Sequence, residues 1–167
     1  MSSEEPKWKA KADLTYEETF NPRPRTPHRG IVWIARELEK EFGKEKAHQI
    51  IVNATKSRPD YKTTKSTPEE IMKEWRQALK LTSPTMRHAI VSEFEEVSPL
   101  EFKLHVKDCL FARSFKSMDA GDIGYLWNCN VDFQSAERFH PNLRLKRTKT
   151  LMQGDDCCDF TWYWEEE

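Results

Sequence analysis

The chain has no apolar run long enough to span a bilayer, and it opens on Met1-Ser2-Ser3-Glu4-Glu5, which is nothing like a secretory leader. We therefore expect a cytoplasmic protein that makes no membrane contact. Its four cysteines are expected to be reduced thiols, since disulfides persist in oxidising compartments. Surplus positive charge is missing too: 27 Lys+Arg against 28 Asp+Glu leave a net charge of −1. A protein that tracks phosphates carries excess cations, so nucleic acid is not an expected partner. The cysteines Cys109, Cys129, Cys157 and Cys158 form no C-x-x-C pair, and the five histidines add no zinc-ligand spacing. No metal and no cofactor is expected. There is no internal repeat, low-complexity tract or second domain.

What the chain does have is large aromatic surface. Six tryptophans, nine phenylalanines and four tyrosines let a few side chains carry the core of one 167-residue domain. Residues 1–29 are polar, and Pro22, Pro24 and Pro27 fall too close together for a helix; this segment reads as an extended arm anchored by Trp8, Tyr16 and Phe20. Residues 30–167 form the single domain. From Gly30 the period is helical, with Ile31, Ile34, Ala35, Leu38 and Phe42 on one stripe, ended by Gly43. A second helix puts Ala47, Ile50, Ile51 and Ala54 on one face and stops before Pro59, and a polar loop covers 57–66. The third is announced by Thr67 as cap, Pro68 at the first helical position and Glu70 in a capping box; it buries Ile71, Met72, Trp75, Ala78 and Leu79, and Thr82-Ser83-Pro84 closes it.

The period then drops to two. Residues 88–97 and the alternation of Phe102, Leu104 and Val106 with Lys103, His105 and Lys107 predict a hairpin turning at Ser98-Pro99. A short link over 110–118 and a helix over 119–139 follow, broken at His140-Pro141-Asn142. A final hairpin takes the rest. The order predicts an α+β fold: N-terminal helices packed on an antiparallel sheet of about four strands, with a helix inserted between two hairpins.

The last hairpin concentrates the unusual residues. With Gln153 to Asp156 as its loop, Leu151 lies opposite Cys158, Lys149 opposite Phe160, Arg147 opposite Trp162 and Leu145 opposite Trp164. One face then carries Leu143, Leu145, Leu151, Cys158, Phe160, Trp162 and Trp164, and Arg147 and Lys149 point there as well. Two readings of these cations stand: stems lying over the aromatics with heads at solvent or on Trp162, or Arg147 held to receive a carboxylate. Cys157 and Asp159 fall on the opposite face from Cys158, so Cys158 and Asp159 share a site only if the strand is bulged. Cys109 at a strand end and Cys129 on a helix read as small buried residues. Asp132, three residues after Cys129 on one helix face, is the best carboxylate outside the hairpin. The tryptophan-rich last strand also offers a surface on which a homo-oligomer would form.

Taken together, Cys109, Cys129-Asn130-Val131-Asp132, Arg147-Thr148-Lys149-Thr150-Leu151, Gly154 and Cys158-Asp159-Phe160 resemble the L-2-amino-thiazoline-4-carboxylic acid hydrolase family. The likeness spans roughly residues 30–164, and its specific motifs lie in 109–160. It implies a small-molecule hydrolase acting at a carbon–nitrogen bond of a cyclic amidine or amide and giving N-carbamoyl-L-cysteine from the thiazoline. It also implies Cys158, Asp159 and Asp132 as catalytic groups, and Arg147, Thr148, Thr150, Cys129 and Cys109 at the substrate. Two routes are open: attack by Cys158, or water activated by an aspartate. Readings from other classes are a non-catalytic small-molecule-binding domain and a cysteine-based metal- or redox-responsive module. A basic ribbon of Arg144, Lys146, Arg147 and Lys149 on nucleic acid comes last.

Overall fold

Pro27 starts the first helix, which takes in the last three residues of the expected arm, because a proline at the first turn forfeits only an N–H that has no helical partner. The protein is described by a computed structural model over residues 27–58, 61–81 and 89–166. The arm's anchors Trp8, Tyr16 and Phe20, and the Thr82-Ser83-Pro84 stop, lie outside these residues.

Helix α1 spans Pro27–Phe42 and α2 spans Lys44–Lys56, joined at Gly43. The buried side of α1 is Val32 and Ala35, while Ile34 and Phe42 are exposed. On α2 the buried row is Ala47, Ile51 and Thr55, and Ile50 and Ala54 face out. Both predicted stripes are thus rotated. The cause is polar as well as apolar: Arg36 turns inward to bind Asp122 at 2.9 Å and Glu39 at 2.8 Å, while Lys44 reaches Asp122 at 3.0 Å. His48 lies 2.7 Å from Glu39. Glu39, His48 and Asp122 therefore converge, but Arg36 and Lys44 already neutralise the carboxylates, so the cluster is an ion-pair joint between helices.

Helix α3, Pro68–Leu81, is entered as predicted. The Thr67 hydroxyl oxygen accepts from the Glu70 N–H at 3.4 Å and its O–H donates to the Glu70 carboxylate at 3.1 Å. Ile71, Met72 and Trp75 are buried against the sheet. Strand β1, Ile90–Ser98, pairs with β2, Glu101–Cys109; β2 then pairs with β4, Cys158–Trp164, and β4 with β3, Leu143–Lys146. All pairings are antiparallel and the order is β1-β2-β4-β3. Between β2 and β3 run α4 (Leu110–Lys116), α5 (Gly121–Gly124), a π-helical turn (Tyr125–Cys129) and α6 (Val131–Phe139). This is the expected α+β arrangement.

Two cores result. One lies on the sheet face under α3 and α6 and holds Phe102, Leu104, Phe139, Leu143, Cys158 and Trp162. The other gathers Val32, Ala35, Ile51, Phe115, Ile123 and Met152 among the remaining helices. Each fully buried large side chain contributes about 1.5–3 kcal/mol. β4 is an interior strand, with Trp162 buried in this core and Trp164 half-buried against it.

The C-terminal hairpin differs from its predicted register by two residues: Leu145 pairs with Trp162 and Leu143 with Trp164. A shift of two keeps every side chain on its predicted face. Pairing stops at Lys146, and residues 147–157 form a loop with a short 3-10 turn at Leu151–Gln153. That loop sits on α5 through a close approach at Gly124. A methyl group there would lie 2.5 Å from the Met152 sulfur and 2.6 Å from the Phe115 ring. Gly124→Ala is therefore expected to destabilise the protein by about 1–3 kcal/mol through overpacking. Urea unfolding should show a lower midpoint at unchanged slope; an unchanged midpoint would mean that this contact relaxes freely.

Candidate active site

The 147–157 loop is held by carboxylates rather than by a partner strand. Asp159 points to the outer face of the sheet, where it accepts from the backbone N–H groups of Thr148 at 2.9 Å and Lys149 at 2.6 Å, and from the Thr148 hydroxyl at 2.5 Å. Burial alone would raise its carboxyl, but these donors hold it below the ordinary value. The Thr150 N–H donates to Asp155 at 2.7 Å, and the Thr150 hydroxyl oxygen accepts from the Met152 N–H at 3.3 Å. Gly154, at φ +105°, closes the 3-10 turn in the left-handed region where glycine costs least. Lys149 turns out to Asp156 at 3.0 Å instead of toward the apolar face, because its strand pairing has already ended.

This loop presents Cys158. Its sulfur accepts from the Leu151 N–H at 3.3 Å, and its thiol lies 3.7 Å from the Thr150 hydroxyl. The Thr150 O–H in turn donates toward Cys129 at 3.8 Å. A buried threonine thus links two thiols, and all four cysteines are free. Burial pushes the Cys109 thiol up to about 11. Burial, aided by the Asp132 charge, pushes Cys129 up to about 12. Both are neutral thiols at physiological pH.

The opposite wall comes from the π-helical turn, closed by the Asn130 N–H on the Tyr125 carbonyl at 2.8 Å. Such a turn inserts one residue into a helix and frees carbonyls from regular pairing. Two arginines take them: Arg58 donates to Trp127 O at 2.9 Å and Arg147 to Cys129 O at 3.1 Å. Arg147 also binds the Asp132 carboxylate at 2.8 Å. Its guanidinium carbon lies 4.9 Å from the Phe133 ring centroid, 5.1 Å from Phe160 and 5.7 Å from Tyr125. With its side chain only 2% exposed, Arg147 neither reaches solvent nor stacks on Trp162. It stands behind Asp132, so the predicted carboxylate receptor is occupied by a partner within the chain.

Asp132 faces the other way. Protein packs around it, yet 39% of its side-chain surface opens to a cleft of about 810 Å³. Burial pushes its carboxyl up to about 6, against the pull of Arg147 and, more weakly, Arg58. The cleft's floor is the sheet face, with Cys158, Phe160 and Trp162 from β4 and Leu104 and Val106 from β2. Its polar wall is Arg58, Asn128, Cys129 and Asp132, and Cys109 closes one end of β2 beside it. Arg58 is held by stacking on Trp127 at 4.8 Å and by Arg138, which donates to the Arg58 carbonyl at 3.2 Å. Asn128 Nδ2 is buried with no hydrogen-bond partner among the described residues.

Of the residues singled out in the sequence, Cys109, Cys129, Asp132 and Cys158 line one cleft, with Thr150 and Arg147 directly behind it. Thr148 and Asp159 do not join them; they line a groove on the outer sheet face with Lys103, Lys146 and Tyr163. The strand is regular there, so Cys158 and Asp159 stay on opposite faces. The basic ribbon is likewise dispersed, since Arg144 pairs with Glu165, Lys149 with Asp156 and Arg147 with Asp132. Sequence reading missed Arg58 and Asn128. Arg58 sits in a loop and Asn128 inside the π-helical turn, so neither carries a periodic signal.

Among the described residues, no helix is long and apolar enough to cross a membrane. No curated protein matches the sequence. A family model described as L-2-amino-thiazoline-4-carboxylic acid hydrolase does, over residues 24–162, which include both walls and the floor of the cleft. By that match over most of its length, the chain belongs to the L-2-amino-thiazoline-4-carboxylic acid hydrolase family.

Proposed function

We propose that the cleft binds a small cyclic amidine bearing a carboxylate and opens its ring with water. The reference reaction is that of L-2-amino-thiazoline-4-carboxylate going to N-carbamoyl-L-cysteine. The observation that carries this reading is the pairing of charges on one wall: the Asp132 carboxylate and the Arg58 guanidinium line the same cleft. An amidine is cationic when protonated and suits Asp132; a carboxylate suits the fork of Arg58.

In the reaction, water's oxygen bonds to the ring carbon that lies between sulfur and two nitrogens. The amidine C=N becomes a single bond, the ring C–S bond breaks, and the two protons of water end on the ring nitrogen and the sulfur. The ring is opened at carbon–sulfur while the carbon–nitrogen double bond is consumed, which refines the carbon–nitrogen cleavage expected from the sequence. Asp132, tuned to about 6, takes the proton from water and returns it to the departing sulfur. A second reading has the Cys158 sulfur bond to the ring carbon as the ring C–S bond breaks and the Cys158 proton ends on the departing sulfur; water then adds to the enzyme-bound isothiourea carbon and expels Cys158 as its thiol. The Leu151 N–H at its sulfur favours this, since it can donate to a thiolate.

Ring opening liberates a thiol, which a colorimetric reagent reports after the protein is removed. Wild-type protein should release thiol from L-2-amino-thiazoline-4-carboxylate, and Cys158→Ala should retain activity if water attacks the ring carbon directly. Loss of turnover in a folded Cys158→Ala protein would transfer the reaction to the covalent route. No release by wild-type protein would remove this substrate and favour a binding domain without catalysis.

A further inference from the structure

A thiazoline carboxylate is one five-membered ring with two small substituents, and it fills a minor part of an 810 Å³ cleft. Clefts of about 300–1,000 Å³ enclose ligands of drug size. The polar groups are confined to one wall. Arg58 follows α2, Asn128 and Cys129 belong to the π-helical turn, and Asp132 opens α6, which packs on β3. From there the floor runs across the sheet to its far edge. Phe160 on β4, Leu104 on β2 and Phe94 on β1 stand in register as one apolar row, with Leu79 of α3 and Ile90 beside it. A register shift between Val91 and Ser92 disturbs the edge strand where Val91, 59% exposed, joins the rim.

We infer that the natural substrate is an amphipathic cyclic amidine, in which a carboxylate-bearing head meets Arg58 and Asp132 and a bulky apolar substituent lies along Phe160, Leu104 and Phe94. This rests on the reading of the cleft as the substrate site. Leu104 is already buried at the base of this row, while the half-buried Phe160 and Phe94 keep apolar surface that a substituent lying along them would cover, a gain that grows with the area removed from water.

The test compares 2-amino-thiazoline-4-carboxylate with its N-hexyl analogue, measuring affinity by titration calorimetry and turnover by thiol release. Each buried methylene should tighten binding by about three- to fourfold, so the hexyl compound should bind at least about a hundredfold more tightly. Val91→Asp, at an exposed position, should cut the affinity ratio of hexyl to unsubstituted compound by about tenfold, because a charge at the rim opposes apolar burial. Tight hexyl binding with no thiol release from either compound would keep the inference and defeat the hydrolase reading. Turnover of the unsubstituted compound with equal or weaker hexyl binding would overturn the inference and leave the hydrolase reading standing.

Discussion

Asp132→Asn is expected to reduce kcat/KM for ring opening by about a hundredfold or more, the usual contribution of a positioned general base. Asparagine keeps the shape and one acceptor for Arg147, so the loss reports on proton transfer. In the wild type, activity should rise with pH and level off above about 6, where burial has set this carboxyl. The same displacement has a stability consequence of known sign. A carboxyl whose folded value lies above its ordinary one of 3.8 binds more protons folded than unfolded. Its contribution to stability is therefore largest below the ordinary value and falls as pH rises through about 6. Melting temperatures followed between about pH 4 and 7 should show this downward component in the wild type and lack it in Asp132→Asn. An active Asp132→Asn enzyme with an unchanged pH profile would remove Asp132 from the chemistry.

That site was partly legible. The capping residues Thr67, Pro68 and Glu70 announced α3 because each satisfies a local backbone requirement. The face assignment of β3 and β4 survived a two-residue register error because strand parity is insensitive to even shifts. What failed depended on distant partners. The alternation of residues 147–151 imitates a strand, yet the N–H groups of residues 148–151 go to Asp155, Asp159 and Cys158 instead. The buried stripe of α1 was set by Asp122, more than eighty residues away, through Arg36. The π-helical turn left no trace in the helical period of 119–139, though it sets where Asp132 faces and frees the carbonyls that hold both arginines.

The family motif accordingly reads as two structures in one run. Thr148, Asp155 and Asp159 fold the loop on the outer face, while Thr150 and Cys158 turn inward to the cleft. Adjacent positions serve different sides of the sheet. The family likeness joined Cys158 and Asp159, and the strand's two-residue period keeps them on opposite faces.

Removing Arg147 should have the largest effect on stability. Its guanidinium is desolvated, bonded to Asp132 and Cys129 O, and enclosed by three aromatic rings. Breaking a buried pair by deleting one partner costs about 3–5 kcal/mol, and the lower end applies because Asp132 can rehydrate from the cleft. Arg147→Ala should therefore unfold at much lower urea. Arg147→Lys keeps the charge but not the fork, so one ammonium has to serve both Asp132 and the Cys129 carbonyl, and only part of the loss should be recovered. Arg147→Met restores volume without charge and separates packing from electrostatics. Because Arg147 pulls the Asp132 carboxyl down, its loss should move the acid limb of the activity profile to higher pH by about one unit or more. Asp132→Asn/Arg147→Met should be more stable than Arg147→Met alone, since no buried carboxylate is then left uncompensated, and the double-mutant cycle measures that coupling. An Arg147→Met enzyme that keeps the wild-type pH profile would confine Arg147 to packing and separate it from the acidity of Asp132.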